Sequence, residues 1–235
     1  MNDVAVPSAE PADRPASETG GYRKGEEARR RILDAAIQVF GLEGYRGATT
    51  RCIAGKAGAS LPALKYYFGG KEGLYLACAE EIVDRYRARM LGPITEVQDA
   101  LAEDATPARA RTALRQILFA LAEQLIGSGE AQQWTGFVLK EMAEHGPAFA
   151  ILNENVWAPG VELTARLIAR ARQTDEAAGL ETARIEALML ISSLSAFSIA
   201  RPVALRSLAW PDAKAERFQS VMAVLDRQIE AIVPA

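Results

Sequence analysis

The sequence predicts an all-α protein: an N-terminal three-helix domain containing a helix-turn-helix, followed by a larger helical domain. Three observations carry that expectation. Apolar residues recur at three- and four-residue spacing along most of the chain, and nothing alternates with a period of two for long enough to make a sheet strand. Glycine, proline and short polar breaks divide the pattern into helix-length segments. Between Gly44 and Leu74, two of those segments are short and separated only by a tight turn at Gly58, the spacing of two helices joined by a recognition-type turn.

In chain order, residues 1–21 are rich in Pro, Ala, Ser, Glu and Gly and carry almost no large apolar side chains. Such a stretch cannot bury enough surface to order and reads as a disordered arm, taken to residue 24. Its acids (Asp3, Glu10, Asp13, Glu18) disfavour a DNA-gripping role, leaving only Tyr22-Arg23-Lys24 to reach a phosphate. A first helix is expected from about Glu27 to Leu42, with Ile32, Leu33, Ala36, Val39 and Phe40 in one stripe and Gly44 as its stop. The second helix carries Ile53, Ala54 and Ala57 inward; the third carries Leu61, Leu64 and Phe68 inward. A fourth helix begins near Lys71, turns Leu74, Tyr75, Cys78, Ile82 and Tyr86 inward, and is expected to be interrupted at Gly92-Pro93. Further helices are expected near 107–127, 130–144, 147–173, 181–201 and 213–232. The helix-turn-helix domain is set at 25–72 and the body at 73–235.

The outward face of the third helix is then Pro62, Ala63, Lys65 and Tyr66, so a cation and a phenol point away from the core. A second helix of this kind can lie in the DNA major groove. Thr49 or Thr50 can cap the helix before it, whose free amides and positive dipole end suit a phosphate. Arg51 lies in that first turn. Ser60 can cap the recognition helix, although Pro62 biases Leu61 away from helical angles and would allow a cap one residue later. Lys65 has reach to guanine acceptors or a phosphate, Pro62 and Ala63 suit a thymine methyl, and Tyr66, Tyr67 and Lys71 suit phosphate oxygens. Core packing is the competing role for each tyrosine.

Charge supports this placement. Tyr22–Tyr75 holds ten Lys/Arg against five acids, a balance of +5, which leaves −8 on the rest of a chain whose net charge is −3. A basic module on an acidic body is the footprint of a local DNA-binding surface.

These motifs carry a resemblance. Residues 27–75 resemble the N-terminal domain of the TetR/AcrR family of transcriptional regulators, through RRRILDAAIQVFGLEGY at 29–45, the hydroxyl pair before RCIA, then AGAS, then LKYYFGGKEGLY. The family's usual recognition-helix ending appears as Leu64-Lys65-Tyr66-Tyr67-Phe68, followed by Lys71-Glu72-Gly73-Leu74. Pro62, Lys65 and Cys52 depart from the common residues at or near the reading surface, which bears on DNA preference and not on fold. The resemblance implies a homodimer, in which two body helices pair with their copies as a four-helix interface. The two candidates are the last helix (Phe218, Val221, Met222, Leu225, Ile229, Ile232) and the one before it (Ile185, Leu188, Met189, Ser192, Ser193, Ser195, Ala196, Ile199). Ordinary intrachain core is the alternative for these positions. Dimerisation also meets a physical need, since two recognition helices roughly 34–36 Å apart read a palindromic operator.

The segment WTGFVLKEMAEHGPAFAILNENVWAP, Trp134–Pro159, is similar to the C-terminal domain of the CecR-like branch of that family. This resemblance implies regulation of membrane efflux or of sensitivity to toxic small molecules. The residues themselves combine large apolar groups (Trp134, Phe137, Phe149, Trp157) with sparse polar ones, Glu141 among them, as drug-sized ligand sites do. Trp134, Phe137, Glu141, Phe149 and Trp157 are therefore the candidate effector contacts; packing as plain core is the alternative. The expectation is a ligand-responsive repressor of double-stranded DNA operators, released by a small apolar or amphipathic effector that moves the fourth helix.

Other classes are disfavoured. One histidine leaves no His-pair metal motif, and no metal or cofactor is expected. Gly69-Gly70-x-x-Gly73 lacks the preceding strand and following Lys-Ser/Thr of a phosphate loop. A Cys78–His145 dyad would need a tertiary coincidence, and no serine sits in a nucleophile elbow, so no catalytic residue is assigned. Cys52 and Cys78 are too few for a disulfide framework, and Cys78 reads as a buried small hydrophobe. No apolar run approaches a membrane span and no signal peptide is evident, so a cytoplasmic location is expected. A helical dimer that binds protein and not DNA is the remaining alternative; salt separates the two, because only phosphate contacts weaken steeply with ionic strength.

Overall fold

The computed structural model describes residues 17–102, 105–127, 131–174, 177–210 and 215–234. Among these residues every element is helical. Four helices come first: α1 (Ser17–Gly47), α2 (Thr50–Ala57), α3 (Leu61–Phe68) and α4 (Lys71–Gln98). The body continues with α5 (Pro107–Ala122), α6 (Ala131–Glu144), α7 (Phe149–Leu152), α8 (Ala158–Arg172), α9 (Ala177–Ile199), α10 (Arg201–Ser207) and α11 (Ala215–Ile232). Wider π turns follow α5 at Glu123–Gly127 and α7 at Asn153–Trp157.

Three boundaries differ from expectation. The helix of the 27–42 stripe begins ten residues earlier, at Ser17, so the end of the expected arm is helical; extending an existing helix costs far less than nucleating one. Residues 1–16 of that arm lie outside the described residues. Gly44 does break α1, with φ 73 and ψ 174, but one further turn closes behind it to Gly47. The expected interruption at Gly92-Pro93 does not occur, and α4 runs through it to Gln98. Pro93 cannot donate to the Arg89 carbonyl. Arg89 and Gly92 are exposed, and nothing lies within 4 Å of where a Gly92 Cβ would be, so solvent can satisfy that carbonyl.

The apolar stripes assemble two cores. One joins α1, α2, α3 and the first half of α4 to α6 and α7, through Phe40, Ile53, Leu64, Leu74, Tyr75, Phe137 and Leu152. The other lies among the second half of α4, α5, α8, α9 and α11, through Met90, Leu114, Leu118, Leu167, Ile168, Leu190 and Leu225. The first core does not stop at residue 72, the expected domain limit: Trp134, Phe137, Ala148 and Leu152 of the body complete it. Where α1 crosses α6 the backbones nearly touch, since a Cβ on Gly136 would lie 2.9 Å from the Gly41 oxygen. Glycine on both sides is what permits that approach. An ion pair also ties α4 to α1, Arg85 to Asp34 at 2.6 Å. No single helix among the described residues is long and apolar enough to cross a membrane.

Candidate nucleic-acid interface and sensor body

Local chemistry sets the two short helices. Thr49 is extended (φ −118, ψ 144) and its hydroxyl accepts from the Cys52 amide at 3.1 Å, making it the cap of α2; Thr50 is the first helical residue. Gly58 ends α2 in the left-handed region, φ 60 and ψ 35, where a side chain would be strained. Ser60 caps α3 by accepting from the Ala63 amide at 3.2 Å. The cap is therefore not displaced by Pro62, which falls within the first helical turn, where amides have no intrahelical partner to lose. Leu61, expected inward, is 41% exposed. It stands at the first position of α3, and Leu64 and Phe68 are the buried residues of α3 that close onto α1, α2 and α4.

The residues of the expected reading face are mostly exposed. Thr49, Arg51, Ser60, Pro62, Lys65 and Tyr66 are exposed, Tyr66 at 83%, and Ala63 is half-buried. Arg51 and Lys65 form no ion pair among the described residues, so both charges are available to a polyanion. Tyr67 is half-buried; its ring lies 5.2 Å from Tyr66, and its hydroxyl packs toward Gly25 of α1. Lys71 is held differently: its amine donates to the Arg46 carbonyl at 3.3 Å and sits 5.0 Å over the Tyr45 ring. Two cations outside the expected set share this side of the sequence, exposed Arg46 and Lys56. Their exposure could have been read from their absence from the apolar stripes. The stacking of Arg29 over Phe68, 5.6 Å from the ring, had no local sequence signal.

The five expected effector contacts separate into two groups. Trp134, Phe137 and Glu141 are buried in the junction between the DNA module and the body. Phe137 packs on Tyr75 at 4.6 Å and on Phe40 at 6.4 Å. Glu141, 1% exposed, accepts a short hydrogen bond from the Tyr75 hydroxyl. Burial first, and that bond second, push the Tyr75 phenol well above its ordinary value. A cavity of about 10 Å³ beside Trp134, lined also by Asp34, Ile37, Ile82 and Arg85, has room for about one water. Phe149 and Trp157 are half-buried and pair with each other at 5.4 Å. An open cleft of about 420 Å³ lies between α5, α8 and the end of α11, by Arg111 and Arg172. Both arginines there are tied to main-chain carbonyls, Arg111 to Val233 at 2.9 Å and Arg172 to Ile232 at 2.7 Å. Cys78 is fully buried and Cys52 exposed.

Residues 32–78 match the family described as bacterial regulatory proteins, tetR family, and residues 110–235 match the C-terminal domain of the HTH-type transcriptional dual regulator CecR. The chain belongs to the TetR family, in the branch with a CecR-type C-terminal domain. It is a transcriptional regulator and not an enzyme. It is 29% identical to the HTH-type transcriptional dual regulator CecR of Shigella flexneri over 213 residues, covering 89% of this chain and 93% of that one. The fold recurs in AibR, solved with isovaleryl coenzyme A and operator DNA, at TM-score 0.58, 18% identity and coverage of 88% and 98%. It recurs in FadR of Bacillus subtilis, solved with stearoyl-CoA, at TM-score 0.53, 15% identity and coverage of 87% and 97%.

Proposed function

We propose that this TetR-family regulator is a homodimeric repressor that holds a palindromic operator through α2 and α3 and releases it when a small apolar or amphipathic effector binds the body. The observation that carries the reading is the face made by Arg51, Lys65 and Tyr66: exposed, without ion pairs among the described residues, and carried by two short capped helices, Arg51 in the first turn of α2 and Lys65 and Tyr66 in the last turn of α3. Thr49, Ser60 and Tyr67 would add phosphate contacts, and Pro62 with Ala63 an apolar contact to a thymine methyl. Lys71, one of whose three ammonium donors is spent on the Arg46 carbonyl, would offer the others to a phosphate.

A second stripe supports the dimer. On α9, Ile185, Leu188 and Met189 are 54%, 51% and 68% exposed, continuing to exposed Ser192, Ala196 and Ile199, while Ala183, Ala187, Leu190 and Leu194 face the core. A helix apolar on both faces needs a partner on the second. The effector would lodge beside Phe149 and Trp157, with Trp134, Phe137 and Glu141 behind them as the wall shared with the DNA module. Acyl-CoA esters in two solved relatives of the same fold support an amphipathic ligand. Cytoplasmic location accords with a DNA target.

The test is fluorescence anisotropy of Arg51→Ala and Lys65→Ala on DNA from upstream of the chain's own gene. Each should lose about 5- to 150-fold in affinity if it contacts a base, in line with the roughly 1–3 kcal/mol expected of such a contact, while helicity and dimer mass stay unchanged. Parent-like binding by both would remove this face from the interface.

A further inference from the structure

We propose that Tyr75 and Glu141 form a latch that fixes the orientation of the DNA module on the body, making both positioning residues for operator binding. The proposal rests on the DNA-binding dimer argued above and goes beyond it. Tyr75 lies on the first turns of α4, next to the helix-turn-helix; Glu141 lies near the end of α6, in the body. Their hydrogen bond spans 66 positions of sequence and is buried. It is the one hydrogen bond of the Glu141 carboxylate among the described residues: the other oxygen, Oε2, is also buried and finds no donor there.

A buried carboxylate held by so few donors is costly, and it becomes costlier if its donor leaves. The bond lies beside an apolar contact of Phe40, Tyr45, Tyr75 and Phe137. The body reaches the same point from the other side. Gly146, in the turn between α6 and α7, lies against the carboxylate, and a Cβ there would fall on Glu141 Oε1. The next segment carries Phe149 and Trp157. A shift of that turn by the width of a methyl group would displace Oε1 from the Tyr75 hydroxyl. Movement in the sensor would then reach the start of α4 through this hydrogen bond, while Arg87 and Asn155 join the same segment to α4 three turns further on, and packed junctions respond to such shifts by changing arrangement and not by deforming smoothly.

The test breaks the latch from each side. Tyr75→Phe removes the donor; Gly146→Ala displaces the acceptor without touching the DNA module; Glu141→Gln retains an acceptor oxygen. Exposed Cys52 on α2 takes a nitroxide label while buried Cys78 does not. Pulsed dipolar spectroscopy of the DNA-free dimer then reports the separation of the two modules, and unlabelled protein is titrated on its upstream DNA.

The latch predicts that Tyr75→Phe and Gly146→Ala each broaden the distance distribution and shift operator Kd at least fivefold in the same direction, with Glu141→Gln within twofold of the parent. It is overturned if either breaking variant keeps the parent's distribution and affinity, or if Glu141→Gln behaves like them. Should Tyr75→Phe fail to fold, Gly146→Ala decides alone. A parent that runs as a monomer, or binds upstream and scrambled DNA equally, contradicts the reading of the previous subsection instead. Hydrogen exchange at residues 71–79 then decides the latch: faster in both breaking variants but not in Glu141→Gln supports it, and unchanged exchange refutes it.

Discussion

A single hydroxyl fixes where α2 begins. Thr49 accepts from the Cys52 amide, so Thr49→Ala should lower stability by about 1 kcal/mol, measured as a shift in urea midpoint. Thr50 cannot substitute, because it already has helical geometry. A tyrosine gives the pH counterpart. Burial pushes the Tyr86 phenol up from 10.0 to about 12. The native state therefore keeps that proton more tightly than the unfolded chain does. Its contribution is complete below pH 10 and is lost as pH rises toward 12. Tyr86→Phe should flatten the alkaline limb of a stability–pH curve; an unchanged limb would assign that loss to other groups. At this scale the sequence is legible where the interaction is local. The caps at Thr49 and Ser60 act over three residues. The Tyr75–Glu141 bond acts over 66, and no spacing rule can reach it, so Glu141 reads as an effector contact from sequence and as part of the interdomain core in the structure.

Two glycine contacts govern how elements meet. A Cβ on Gly73 would fall on the Phe68 carbonyl oxygen, at the turn that sets α3 against α4. A Cβ on Gly136 would lie 2.9 Å from the Gly41 oxygen, where α1 crosses α6. In both cases the obstacle is backbone, which cannot rotate away. Gly73→Ala and Gly136→Ala should each cost roughly 1–3 kcal/mol, seen as lower thermal midpoints; full retention of the midpoint in either would mean the helices can separate freely. Helix existence was readable from the stripes for the long elements, because a 3.6-residue period is a local property; the short α10 (Arg201–Ser207) falls between two expected helices. Helix limits were less so. Pro93 and Gly44 are strong local breakers, yet α4 passes through the first and α1 resumes after the second, because exposure and tertiary packing decide what a breaker costs. The close approach of α1 and α6 had no signal beyond two glycines among many.

For the whole molecule, charge partition and the second apolar face of α9 were both present in the sequence. What the sequence could not supply is which apolar residues of α9 are left over after the chain has folded. The structure separates them: Leu190 and Leu194 are buried, Leu188 and Met189 are exposed. Met189→Asp should convert the dimer to monomer in sedimentation velocity and weaken operator binding sharply, since two linked half-sites bind far more tightly than one. A dimer that persists would move the interface elsewhere. A sequence-selective DNA-binding dimer is checked by anisotropy of the purified protein on its own upstream DNA and on scrambled DNA at two salt concentrations. The expected result is two chains per site, selectivity for the upstream DNA, and affinity that falls steeply with salt as phosphate contacts release counterions. Weak binding, equal on both DNAs and indifferent to salt, would contradict it.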